Sequence, residues 1–521
     1  MLRTFSLSPR ATQTWVSVVL LLFGISMAWL VGGMIAAQND ASVVYVVAAL
    51  VVCAVAVSIL NNWRSGFYIF VVWLLVEDLV RKFMGNNMAV YFAKDVLVFL
   101  TYMSFFAAVR RGRTHLFRFP FMVFLILFVS LGILQCFNPA SPSFLYSILG
   151  FKLHFYYIPL AFLGYSLVRS ESDLRKFLGI IVGLSGVIAG LGIIQAILGP
   201  SFLNPSVLAP DIRDLSTLYR YSPESHQLLY QPNSVFVSAG RFDSYLLLSW
   251  ILGLGIAAFL LLRKLPGRAV IFSSVALIAV ALVMSGGRGV IVYAISSAIV
   301  LAAGFLWGAP WRSGQTHKLV KTIWRTVLVG VISIIIITSL FPDEIGARWS
   351  YYSETMLPTS PGEQLTDRLQ NYPIDEFEKA FEQGGWVIGH GIGTASLGVQ
   401  YVSRWLGQRP PQFGVESGYG NIVLEYGIFG LLLWWLWTAA LLVSIWQIVR
   451  KLKQTPYFPL AFSIFWFLFL LLYPLTYGTL NFYEDYVYNA FMWLLIGLVF
   501  RLPALAHEVR EPNSVRISND L

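Results

Sequence analysis

The sequence predicts an all-α fold: a polytopic transmembrane helical bundle with a long extracytoplasmic loop. Three observations predict it. Apolar runs of about 18 residues or more recur along the chain, the length needed to cross a hydrocarbon core of roughly 30 Å. The composition is 57% hydrophobic and 12% charged, with a mean hydropathy of +0.70, where soluble domains carry about 25% charged residues. The remaining polar residues gather in short connections and in one long interruption, residues 342–418.

Taken in order, the runs predict about fourteen spans of membrane-crossing length, near 15–37, 42–60, 65–80, 88–109, 119–136, 145–168, 176–199, 241–262, 268–286, 288–309, 323–341, 419–446, 457–477 and 485–502. The first follows MLRTFSLSPR and is long for the apolar stretch of a signal peptide, so it reads as an uncleaved span. The third is short and carries Glu77 and Asp78. Lys and Arg concentrate in the connections 109–118, 169–176, 263–268, 311–321 and 449–454, which places these in the cytoplasm. Residues 38–41, 138–143 and 483–485 then fall outside; Arg81 and Lys82 depart from the rule. Residues 1–341 carry the first eleven spans with an outer loop at 200–240. Residues 342–418 form a long periplasmic loop, 419–502 the last three spans, and 503–521 a cytoplasmic tail.

The formal net charge of +10 would suggest nucleic acid if the basic residues shared a soluble face. They lie instead in short loops between spans, which fits orientation and contact with anionic membrane lipids. Cys53 and Cys136 fall in different apolar segments, which argues against a disulfide framework or a metal site. There is no nucleophile elbow, no HExxH and no DxD pair in an outer loop, so any transfer chemistry is expected to need no metal and no cofactor.

Within the long loop, IDEFEKAFEQ places Phe377 and Phe381 four apart, on one helix face. An amphipathic helix lying on the membrane is expected there, followed by a turn at GHGIGTAS. Gly389, Gly391 and Gly393 form a G-x-G-x-G that neither follows a strand nor opens a nucleotide-binding unit, so a nucleotide site is rejected.

Candidate chemistry lies at span ends. Arg241, in SAGRFDSYL, and Arg288, in SGGRGVIVY, stand where an ionisable group is costly unless paired or wet. Each could snorkel to lipid headgroups, or the two could grip a diphosphate, since guanidinium binds phosphate bidentately and keeps its charge. Glu416, where ESGYGN enters a span, is either an ordinary first-turn carboxylate favoured by the helix dipole or a general base. His390, in its Gly-flanked turn, is a rival base. Arg348 and Arg368 could add to an anion site or lie on a solvated face. Lys152, beside His154, could snorkel or bind an anionic headgroup. Glu425, inside a span, is expected to pair with another buried polar group, and Glu77, Asp78, Lys94 and Asp95 with one another. Aromatics in 401–413 could stack on sugar rings.

In order along the chain, GFKLHFYYIPLAFLGYSL, SAGRFDSYL, SGGRGVIVY, DRLQNYPIDEFEKAFEQGGWVIGHGIGTAS and ESGYGNIVLEYGIFGLL resemble segments of the O-antigen ligase and O-antigen polymerase (Wzy-type) superfamily, over roughly residues 143–502. The resemblance implies a GT-C-like integral membrane glycosyltransferase of the bacterial inner membrane, acting at its periplasmic face. The donor would be an oligosaccharide on an undecaprenyl diphosphate carrier, and the acceptor another glycan. Arg241 and Arg288 would stabilise the leaving diphosphate, with Lys152, Arg368 and His390 as further substrate contacts. Ligases of the family open the closing segment with His-Asn; counting back from Glu425 and Gly427, Glu416 takes that histidine's place. This favours an exopolysaccharide or capsule polymerase, with Glu416 as base and inversion at the anomeric carbon. Chain-length and flippase proteins would be partners. The competing readings are a ligase with a lipid or protein acceptor, a lipid-linked oligosaccharide flippase, and a structural or sensor membrane protein.

Overall fold

The structure is a computed structural model and describes residues 40–85, 87–205, 218–311, 338–356, 365–396, 398–411 and 413–510, with scattered positions between 321 and 336. The span expected at 15–37 lies outside the described residues, as does most of that at 323–341. Among the described residues, seven helices are long and apolar enough to cross a membrane: Met88–Arg110, Glu171–Leu198, Ala239–Arg263, Arg288–Gly308, Gly418–Lys451, Phe458–Gly478 and Tyr486–Glu508. Together with shorter helices they make an all-α protein of membrane type.

In chain order the helices are α1 (Asp40–Asn61), α2 (Trp63–Phe83), α3 (Met88–Arg110), α4 (Met122–Gln135), α5 (Phe144–Phe155), α6 (Leu160–Leu167), α7 (Glu171–Leu198), α8 (Ala239–Arg263), α9 (Arg268–Met284) and α10 (Arg288–Gly308). After these come α11 (Pro342–Met356), α12 (Leu365–Glu382), α13 (Val399–Leu406), α14 (Gly418–Lys451), α15 (Phe458–Gly478) and α16 (Tyr486–Arg510). Serines start several of them. The Oγ atoms of Ser143, Ser170, Ser238 and Ser417 accept backbone N–H groups of Leu145, Asp173, Arg241 and Gly420 at 3.2–3.3 Å. Each satisfies a donor the helix itself cannot.

Four expectations change. The single span at 145–168 is two helices, α5 and α6, separated by a turn at 156–159. Pro159 has no N–H to give and restricts the residue before it, so the helix cannot run through. The outer loop at 200–240 holds a two-stranded antiparallel hairpin, β1 (Tyr219–Tyr221) and β2 (Leu228–Tyr230), with Tyr219 opposite Tyr230. Helix α16 continues to Arg510, past the expected start of the tail. Finally, α14 breaks at Gly427, where φ is 73° and ψ −176°. At 1.5 Å per residue the part after the break is about 36 Å long, enough to span by itself.

The chain forms two compact units, Met1–Val71 with Asp95–Ala108, and Val72–Lys94 with Val109–Leu521. In the smaller, Trp63 meets the edge of Phe105 at 5.1 Å and Ser104 Oγ donates to the Leu60 carbonyl at 3.1 Å. In the larger, α16 packs on α6, α9 on α7 and α8, α15 on α8, and α14 on α4. Its centre is aromatic: Trp434 and Trp437 are fully buried, 4.9 Å apart edge to face, and Trp437 stacks on Trp493 at 5.8 Å. Such pairs add to the large area that each ring buries.

The amphipathic helix of the long loop is α12, and the two half-buried rings expected on one face touch other parts of the protein. Phe377 lies 5.1 Å from Phe381 and packs beside Tyr419 and Tyr477, while Phe381 meets Trp386.

Candidate functional site

Charge placement in the larger unit starts from α2. Glu77 and Asp78 are buried, and a buried carboxylate must be paired or give up its charge. Lys94 binds Glu77 at 3.0 Å and lies over the Tyr91 ring at 3.4 Å. Asp78 accepts from Arg81 at 3.4 Å and Arg241 at 3.0 Å, and from the Val237 N–H at 3.3 Å. Lys82 Nζ donates to the Ser234 carbonyl at 2.8 Å. Of the mutual pairing expected among Glu77, Asp78, Lys94 and Asp95, Glu77 and Lys94 do pair, while Asp78 pairs with Arg81 and with Arg241, the latter a contact invisible to any local reading of the sequence. Arg241 also lies over the Tyr486 ring at 4.8 Å. Its side chain keeps 24% exposure, and that edge faces a cavity.

This cavity has a volume of about 630 Å³ and is lined by Arg241, Asp243, Glu416, Asn421, Glu484 and Asp485 among others. A second, of about 490 Å³, is lined by Arg220, Tyr221, Gln231, Arg288, Tyr351 and Thr355 among others. Gly240, Asp243 and Gly287 line both. Arg241 and Glu416 thus share one cavity, and Arg288 stands in its neighbour rather than beside Arg241.

The second cavity is walled by the β-hairpin and α11. Arg348 of α11 is buried. Its Nε donates to the Met284 carbonyl at 3.1 Å and Nη2 to the Tyr230 carbonyl at 3.2 Å. It ties α11 to α9 and β2 and does not lie on a solvated face. Glu354 accepts the N–H of Glu224 at 2.7 Å and of Ser225 at 3.2 Å. Partial burial raises its carboxyl, but hydrogen bonds from the Ser225 side chain and these two N–H groups outweigh that and hold it below the usual range. A depressed carboxyl contributes stability above its unfolded pKa of about 4.3 and loses it as pH falls through the lower folded value. Hydrogen-exchange protection of residues 219–230 is therefore expected to fall between pH 6 and pH 3, and to do so less in Glu354→Gln. Equal protection at both pH values in the wild type would show that this contact does not hold the hairpin.

Glu416 is exposed. Its Oε2 accepts from the Tyr372 hydroxyl, and its N–H donates to Glu376 Oε2 at 2.7 Å. Ser417, not Glu416, caps α14, so Glu416 precedes the helix instead of occupying its first turn. Tyr372 and Glu376 both belong to α12, which fixes the corner where the long loop ends.

The glycine-rich turn fills the break in α14. The N–H groups of His390 and Gly391 donate to the Leu424 and Glu425 carbonyls at 2.7 and 3.2 Å, and Ile428 N–H donates to the Trp386 carbonyl at 3.0 Å. These bonds satisfy backbone groups the interrupted helix leaves open. A Cβ at Gly389 would lie 2.7 Å from the Glu425 carbonyl oxygen. The repeated glycines serve close approaches of this kind. His390 Nε2 meets the Gly384 carbonyl at 2.6 Å and its ring lies against Phe413; it closes its own turn and lines neither cavity. Glu425 finds the expected buried partner in His154, at 2.8 Å, and accepts the Ala395 N–H at 3.2 Å. Lys152 lies over Tyr91 and Phe92 at 4.9 and 4.8 Å, and it too lines neither cavity. Arg368 falls in α12, and its side chain lies outside the described residues.

Asp243 and Arg220 were not singled out by sequence. Asp243 follows Arg241 by two residues, and only the notion that a carboxylate beside a cationic span end serves the same site would have found it. Arg220 sits in a hairpin that hydropathy does not reveal. No family model, curated protein or solved structure matches the chain.

Proposed function

We propose that this protein is a polysaccharide polymerase that transfers a glycan from an undecaprenyl diphosphate carrier to a hydroxyl of another carrier-linked repeat unit. The observation that carries the reading is the pair of adjoining cavities at one end of the helical bundle. One holds Arg241 and Glu416, the other Arg288 and Arg220. Two compartments with a common wall suit two substrates, and arginines suit a diphosphate that gains charge as it leaves. In this reading the leaving diphosphate is held beside Arg288, with Arg241 reaching it from across the wall, and Glu416 orients the acceptor. The bundle is GT-C-like with about fourteen spans in the bacterial inner membrane, and the cavities face the periplasm. The diphosphate linkage carries the energy, so neither metal nor nucleotide takes part, and a single displacement inverts the anomeric carbon. A chain-length regulator and a flippase act alongside it.

The test is purified protein in lipid with carrier-linked repeat units and no metal or nucleotide. Polymer is expected from the wild type. Arg288→Ala is expected to lower its rate about 100- to 1,000-fold, the effect of removing one electrostatic stabiliser. Glu416→Gln, which still hydrogen-bonds a hydroxyl, is expected to lose less than the roughly 100-fold typical of a missing general base. Full activity of Arg288→Ala would sink the assignment of the diphosphate site. Product without lengthening of the carrier-linked glycan would point to a ligase, and movement of the donor across the bilayer without product to a flippase.

A further inference from the structure

We propose that Asp243, in the wall between the two cavities, is the carboxylate that takes the proton from the acceptor hydroxyl. The inference rests on the transferase reading above and names a catalytic residue that the sequence alone does not suggest. If donor and acceptor occupy the two cavities, they meet at the residues lining both: Gly240, Asp243 and Gly287. Asp243 is the one among these with an ionisable side chain. Gly240 faces open space, since a Cβ there would meet nothing within 4 Å. A Cβ at Gly287 would come within 2.1 Å of Asp243 Oδ2, so the absence of a side chain there is what admits the carboxylate.

The carboxylate is also poorly satisfied. Its Oδ1 is buried without a hydrogen-bond partner among the described residues. The Ser285 hydroxyl is within bonding reach of the carboxyl but donates to the Leu282 carbonyl at 3.0 Å. Arg241, two residues away, is turned to Asp78. An ionised carboxylate only accepts hydrogen bonds, and leaving an acceptor unmet in a buried place is costly. A sugar hydroxyl is a donor of the required kind. Glu416, by contrast, is exposed and already accepts from Tyr372.

The step balances without any further reactant. The hydroxyl oxygen forms a bond to the anomeric carbon, and the bond from that carbon to the diphosphate oxygen breaks. The bonding electrons leave with the diphosphate, beside Arg288 and Arg220, and the hydroxyl proton passes to Asp243.

The experiment uses the full-length protein in the polymerisation assay. Asp243→Asn is expected to lose about 100-fold or more in rate while eluting as a folded species. Asp243→Gly is expected to regain activity on addition of sodium formate, a diffusible carboxylate, whereas Glu416→Ala is not. A structural role for Asp243 would not yield that rescue. If neither variant folds, Asp243→Glu, which retains the charge but displaces it, is expected to lose at least about tenfold in kcat with KM for the donor little changed. Near wild-type rates in a folded Asp243→Asn, no formate effect on folded Asp243→Gly, or unchanged kcat in Asp243→Glu would overturn the assignment. A wild type that makes no polymer would instead sink the transferase reading, and this residue's role with it.

Discussion

Asp78→Ala is expected to destabilise the protein by about 3–5 kcal/mol, the range for breaking a buried ion pair from one side. Asp78 is 1% exposed and receives both Arg81 and Arg241. Removing it leaves two guanidinium groups beside a third cation, Lys82, which is also buried. The N–H of Val237 loses its acceptor as well, one residue before the serine that caps α8. Activity should therefore fall with stability, because Arg241 would no longer be held at the edge of its cavity. The measurement is thermal unfolding in detergent together with the polymerisation rate. The double variant Asp78→Ala/Arg241→Ala should recover part of the lost stability, since one uncompensated charge goes with its partner. A single variant as stable as the wild type, or strictly additive effects in the double variant, would show that the pair is not coupled.

The second large effect is expected at Gly427. Its backbone, at φ 73° and ψ −176°, lies in a region that is essentially closed to residues with a Cβ, at a cost of order 1–3 kcal/mol. A Cβ there would also stand 2.3 Å from the Val387 carbonyl oxygen, and overpacking of this kind costs about 1–3 kcal/mol more. Gly427→Ala is thus expected to destabilise by about 2–6 kcal/mol and to push the glycine-rich turn out of the break. Amide exchange at His390 and Gly391, whose N–H groups bond to α14 carbonyls, should accelerate. Unchanged exchange at these two positions would mean that the turn is held by something other than the broken helix. Glu425, two residues before the break at Gly427, meets His154 at 2.8 Å.

How much of this was legible in the chain depends on the range of the interaction. Hydropathy located α3, α8, α10 and α15 closely, and α7, α14 and α16 with one end displaced, α16 running on from the expected 502 to Arg510, because crossing a membrane demands a run of apolar side chains. The spacing of Phe377 and Phe381 revealed a helix with one apolar face, but not what that face would rest on. The break at Gly427 was hidden by an apolar pattern that continues on both sides of it. Pro159 could have marked the division of 145–168, but the run was apolar enough to read as one span.

The site divides in the same way. Arg241, Arg288 and Glu416 stood out because charge near hydrocarbon is costly and therefore conspicuous. Asp78 pairs with Arg241 across 163 positions, and His154 with Glu425 across 271. The sequence by itself determined that this is a helical protein of membrane type, where its helices run and which few charged residues lie at their ends. Only the tertiary structure decided that Asp78 holds Arg241, that Arg288 stands in a separate cavity, and that Asp243 lies in the wall between them. The physical reason is that hydropathy and helical period act between neighbours in the chain, while ion pairs and cavities arise where distant helix ends are packed together.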